Sequence, residues 1–84
     1  TILDVREESE LPKIDEFPHT LIPLRNFKAF ITTISNENKV VIFCKSGQRS
    51  MKAVLIAKDE FPDLEVYSLA GGIENWKRKN LNHT

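Results

Sequence analysis

Eighty-four residues make a single domain, long enough to bury a core and too short for two. Twelve basic and twelve acidic residues cancel, with no block of like charge, which argues against a nucleic-acid face and a polybasic membrane patch. No apolar stretch is long enough to span a bilayer, no basic-then-apolar leader opens the chain, and the lone cysteine can form no internal disulfide; a reducing, cytoplasmic setting is expected.

The first run, Ile2-Leu3-Asp4-Val5, reads as a buried strand that gives way to a loop at Arg6-Glu7-Glu8. Between positions 9 and 20, Pro12 and Pro18 stand among Glu10, Lys13, Asp15 and Glu16, the pattern of a surface connection with at most one helical turn. Leu21-Ile22-Pro23-Leu24 is a short extended piece whose proline restricts it to an edge or a strand end. Phe27, Phe30, Ile31 and Ile34 then fall at i, i+3, i+4 and i+7, one apolar face of a helix, with Ser35-Asn36-Glu37-Asn38 as its stop.

Positions 39–43, Lys-Val-Val-Ile-Phe, form the clearest strand and read as central, because an unbroken β-branched and aromatic run suits a parallel strand covered on both faces. After a polar loop from Lys45 to Arg49, Met51, Val54, Leu55 and Ala57 are expected to line one side of a second helix, with Ser50 near its start and Phe61-Pro62 at its end. Leu64 to Leu69 alternates as another strand, Ala70-Gly71-Gly72 turns, and Ile73 and Trp76 mark a final helix, with Trp76 expected in the core. Strand and helix alternate throughout, which predicts an α/β domain with a mostly parallel sheet and helices on both faces.

Ligands of open α/β sheets bind beyond the carboxyl ends of the strands, and Cys44 stands at that end of the central strand. On the strand alone, a free cysteine ending an apolar run reads as core. The following residues, Lys45, Ser46, Gly47, Gln48, Arg49 and Ser50, change that reading: a polar loop with one glycine and two cations runs straight into a helix. Such a loop can aim successive backbone N–H groups at one centre, and the helix start adds unpaired N–H groups and partial positive charge. A thiolate is favoured there, with Lys45 or Arg49 nearby, so Cys44 is expected to be a nucleophile of lowered pKa.

Two chemistries use such a cradle. Cysteine phosphatases, as a family, carry an arginine six positions after the cysteine, whereas Arg49 is five positions after Cys44, and Phe43 stands where their histidine precedes it. A smaller ring of N–H groups suits one sulfur atom better than a phosphoryl group. A small cysteine phosphatase or arsenate reductase is thus the first alternative, and a non-catalytic module that only docks a partner is the second.

Four segments in order, "LDVREESE", "LIPL", "VVIFCKSGQRS" and "VYSLAGGIENW", resemble the rhodanese-type sulfurtransferase domain over nearly the whole chain. The resemblance implies a rhodanese-like fold spanning residues 1–84, without that family's usual opening strand and helix. It also implies that Cys44 takes a sulfane sulfur from thiosulfate or a persulfide, holds it as a persulfide among the N–H groups of residues 45–50, and passes it to a thiophilic acceptor. No metal or organic cofactor is expected.

Asp4 and Arg6 match a conserved family pair near the active site, and their expected role is supporting: an ion pair tying strand to loop. Gly71-Gly72 matches the family's turn and is explained by glycine's access to positive φ. Many members carry a His-Ile-Pro-Gly-Ala segment where this chain has Glu16-Phe17-Pro18-His19-Thr20-Leu21, so His19 is given no catalytic role and a surface loop position. "LIPL" is similar to rhodanese domains fused behind the E1-like adenylyltransferases of molybdopterin and thiamine biosynthesis. That likeness implies a ubiquitin-like sulfur carrier or a cysteine desulfurase as partner.

Overall fold

The computed structural model describes residues 1–34 and 39–81. In chain order it contains β1 (Ile2–Asp4), β2 (Thr20–Leu21), α1 (Leu24–Ile31), β3 (Lys39–Phe43), α2 (Gln48–Glu60), β4 (Glu65–Ser68) and α3 (Gly72–Leu81). The strands form one sheet in the order β2-β1-β3-β4, and every pairing is parallel. Asp4 lies beside Phe43 and Ile42 beside Ser68, so the ends of three strands meet just before Cys44. β3 is interior, as its unbroken apolar run predicts. At the edge, Ile22 and Leu24 donate to the carbonyls of Asp4 and Val5 (2.8 and 3.1 Å), while Pro23 between them, having no N–H, falls where the ladder needs no donor.

The period-two alternation of the strands separates two apolar clusters. On one face Leu3, Val40, Ile42, Cys44 and Val66 pack with Phe27 and Ile31 of α1 and Ala53, Val54 and Ala57 of α2. On the other, Ile2 and Phe43 meet Ile14, Phe17, Leu69, Ile73 and Trp76. Each large side chain fully buried in these layers contributes roughly 1.5–3 kcal/mol. Parity puts Cys44 on the α2 face, and α2 is the helix that its own loop begins.

Several expectations change. α1 ends at Ile31, and the hydroxyls of Thr32 and Thr33 reach back to the carbonyls of Ala29 and Phe30, closing its last turn. Ile34 lies beyond the helix yet still packs on the core; the expected stop at positions 35–38 lies outside the described residues. On α2 the inner face is Ser50, Ala53, Val54 and Ala57, while Met51 and Leu55 are 51% and 65% exposed. A stripe of small residues lets α2 lie close to the sheet, and the buried polar member, Ser50, is satisfied by hydrogen bonds.

The connection between positions 9 and 20 holds no helix and is not only surface. Ile14 is buried, and Phe17 sets its ring edge-on to Phe43 and Trp76 at 5.7 and 5.3 Å. His19 is half-buried rather than on an open loop: its ring lies 5.6 Å from those of Phe17 and Phe43, and Nδ1 is 3.1 Å from the Phe17 carbonyl. Aromatic packing explains it. Trp76 is half-buried against the same cluster.

Candidate active site

The polar loop turns on Gly47, whose φ of 107° lies in the left-handed region that glycine adopts without strain. This turn brings the start of α2 back over Cys44. The Gly47 and Ser50 N–H groups donate to Sγ at 3.1 and 3.3 Å, and Ser50 Oγ lies 3.5 Å from the same atom. Cys44 is 1% exposed. Burial pushes its thiol pKa up, but hydrogen bonds from the Ser50 hydroxyl and from the Ser50, Gly47 and Ser46 N–H groups outweigh this, and the net shift is downward. A depressed thiol is what the loop predicts. The largest lowering cause is the Ser50 hydroxyl, followed by the N–H groups of the loop, and Arg49 and Cys44 interact as charges.

Arg49 is engaged by a carboxylate. Its Nη1 and Nη2 hold the two carboxylate oxygens of Glu10 at 2.5 and 2.8 Å. That bond, with help from the Glu7 N–H at 2.7 Å, draws the Glu10 carboxyl down to about 2. Lys45 and Gln48 are exposed, and Ser46 is exposed beside Gly47. The cysteine loop is therefore clamped to the loop after β1, and much of Arg49's charge is met within the protein.

This clamp has a pH signature. A carboxyl whose folded pKa is depressed contributes stability that is present above its ordinary value and lost as pH falls towards the folded one. Glu10→Gln should lower stability at pH 7 by no more than about 1 kcal/mol, the pair being partly exposed. The variant should also lose less stability than the parent between about pH 4.5 and 2 in thermal melts. Superimposable acid profiles would count against the clamp.

Asp4 and Arg6 form the expected tie, fully buried. Asp4 Oδ1 accepts from the Arg6 backbone N–H and Nε (3.0 and 3.1 Å) and Oδ2 from Nη2 (3.0 Å), with the guanidinium 5.9 Å from the Phe43 ring centre. Their geometry holds the end of β1 to the following loop and so sets the position of Glu10.

Two residues beyond the expected set complete the site. Ser68, at the end of β4, places its hydroxyl 2.6 Å from Ser50 Oγ. Gly72 starts α3, whose Ile73 and Glu74 N–H groups donate to the Cys44 and Lys45 carbonyls at 2.8 and 3.1 Å. With both carbonyls held from behind, the peptide planes of the loop are fixed so that later N–H groups face the sulfur. Among the described residues no three His, Cys, Asp or Glu side chains converge as a metal ion requires, and no helix is long and apolar enough to cross a membrane.

Residues 1–79 match the family model of the rhodanese-like domain. A sulfurtransferase from Allochromatium vinosum is 32% identical over 85 aligned positions, which cover 95% of this chain and 74% of that protein. A rhodanese-related protein from Thermoplasma volcanium superimposes with a TM-score of 0.78 at 28% identity, over 94% of this chain and 77% of its own. The NAD-dependent persulfide reductase of A. fulgidus does so with a TM-score of 0.73 at 32% identity, over 89% of this chain but only 13% of the reductase. These likenesses support sulfurtransferase-type activity in general terms.

Proposed function

This chain belongs to the rhodanese-like domain family, and we propose that it is a sulfurtransferase in which Cys44 carries the sulfur as a persulfide. The observation that carries this reading is the convergence of the Gly47 and Ser50 N–H groups on Sγ, with the thiol pKa depressed. The thiolate attacks the outer sulfur of thiosulfate, the S–S bond of the donor breaks, and sulfite leaves with the bonding pair; a persulfide donor gives a thiolate instead. The negative charge on the terminal sulfur of the product then rests on the N–H groups of residues 45–50. An acceptor thiolate or similar thiophile takes that sulfur and regenerates the Cys44 thiolate.

Exposed Lys45, with Arg49 held by Glu10, offers an anionic donor its first attraction. As the macromolecular partner on the acceptor side we favour a ubiquitin-like sulfur carrier. An open groove lined in part by Gly47, Gln48, Met51, Leu69 and Ala70 adjoins the loop and supports access by more than a small molecule. The likeness of "LIPL" to domains fused with E1-like adenylyltransferases supports the same choice, with a cysteine desulfurase as an upstream donor. A reducing, cytoplasmic compartment would keep the lone thiol reactive.

Intact mass after incubation with thiosulfate tests the reading. The expected product is heavier by one sulfur atom, located on the Cys44 peptide and removed by cyanide. An unchanged mass with both thiosulfate and a persulfide donor would sink it, as would Cys44-dependent hydrolysis of an aryl phosphate.

A further inference from the structure

A thiol that must ionise inside a cradle needs somewhere to send its proton. Cys44 is 1% exposed, and an incoming donor over the sulfur further separates it from water. The Gly47 and Ser50 backbone N–H groups that touch Sγ can only donate, so they cannot receive the proton. The Ser50 hydroxyl both accepts and donates, and it is 3.5 Å from the sulfur, 3.1 Å from the Gly47 carbonyl and 2.6 Å from Ser68 Oγ. Ser50 is completely buried, whereas Ser68 is half-exposed and lines the open groove beside the loop.

We propose that Ser68 is a positioning residue for Cys44, completing a hydroxyl chain through Ser50 that carries the thiol proton to the groove and leaves both hydroxyls donating towards the sulfur. The proton on sulfur passes to Ser50 Oγ, the Ser50 proton passes to Ser68 Oγ, and the Ser68 proton passes to water. No electrons change hands, and each serine ends neutral with one proton. The order of transfer leaves Ser50 donating to the thiolate and Ser68 donating to Ser50. Without Ser68, Ser50 Oγ loses the donor that polarises it, and its proton has only the Gly47 carbonyl as an alternative target.

The charged groups around the loop are Arg49 with Glu10, the Asp4–Arg6 pair, Lys45, Lys52 in the groove lining and Glu74 at the start of α3. Replacing Ser68 with alanine or threonine itself adds or removes no charge among them. The proposal rests on the thiolate role of Cys44 given above, and the test separates the two.

The pH dependence of Cys44 alkylation by iodoacetamide should be followed by mass in the parent, Ser68→Ala and Ser68→Thr. Ser68→Ala should raise the midpoint by roughly one pH unit, the size expected when a hydrogen bond supporting a charge is lost. The high-pH plateau should be kept, and Ser68→Thr should restore the midpoint. An unshifted midpoint in Ser68→Ala overturns the proposal, and so does a lowered plateau and melting temperature with no shift. A Ser68-dependent midpoint in a protein that takes no sulfur from thiosulfate or a persulfide leaves the hydroxyl chain standing and removes the sulfur-carrier reading. Sulfur uptake with a Ser68-independent midpoint does the reverse.

Discussion

Replacing Cys44 with serine should abolish sulfur transfer outright while leaving the fold in place. The Gly47 and Ser50 N–H groups that now meet Sγ at 3.1 and 3.3 Å will accept an oxygen partner, so the loop keeps its shape, and the stability change should stay within about 1 kcal/mol. Activity has no such substitute. A serine hydroxyl is a far weaker acid than the cradled thiol, whose pKa is drawn down, and oxygen forms no persulfide to store between the two half-reactions. Transfer from thiosulfate to cyanide should fall about a thousandfold or more, to background, with no sulfur gained by mass. The melting curve run beside it is the control. Measurable transfer by a folded Cys44→Ser protein would mean that the sulfur is carried elsewhere or never becomes covalent.

How far the sequence already held this site depends on whether the forces involved are local. The run at 39–43 and the residues after it are adjacent in the chain, so strand end, turn and helix start could be read together, although the helix begins at Gln48 and takes Gln48, Arg49 and Ser50 out of the expected loop into its first turn. The face of α2 could not. Hydropathy points Met51 and Leu55 inward, but the helix is rotated to bring Ser50 and the small residues Ala53 and Ala57 against the sheet, because Ser50 has partners there that a hydrophobicity pattern does not count. Arg49 reads as a cation for the thiolate, and what the sequence hides is its ion-pair partner Glu10, 39 positions away in a loop that the β1–β3 pairing brings near. Ser68 is an ordinary polar residue at a strand end until the β3–β4 register sets it beside Ile42, two residues from the cysteine. His19, read as a loop residue, is drawn inward by two aromatic neighbours whose side chains meet only in the fold.

Gly72 shows the same limit most sharply, since its positive φ of 69° accounts for only part of its role. A Cβ built there would lie 2.3 Å from the Lys45 carbonyl oxygen and 2.6 Å from the Ser46 nitrogen, both backbone atoms that cannot swing aside. Gly72→Ala should therefore push α3 off the cysteine loop and strain the donation from Ile73 and Glu74 to the Cys44 and Lys45 carbonyls. The left-handed conformation alone costs an alanine about 1–2 kcal/mol. With the backbone clash added, about 4 kcal/mol of destabilisation is expected, a large share of a small domain's stability. In the molecules that still fold, the displaced loop should lose its aim on Sγ, raising the alkylation midpoint of Cys44 and lowering sulfur transfer by about tenfold or more. Gly71→Ala is the matched comparison. Its φ of 74° imposes the same backbone penalty, and its Cβ would lie 2.6 Å from the Asn75 Cβ, so the first turn of α3 must also shift there, but the crowding falls on Asn75 rather than on the backbone of the cysteine loop. That variant should also lose more stability than the backbone penalty alone, yet keep the parent's alkylation midpoint. If the two alanine variants lose equal stability and neither moves the midpoint, α3 is only a neighbour of the cradle and not the support that shapes it.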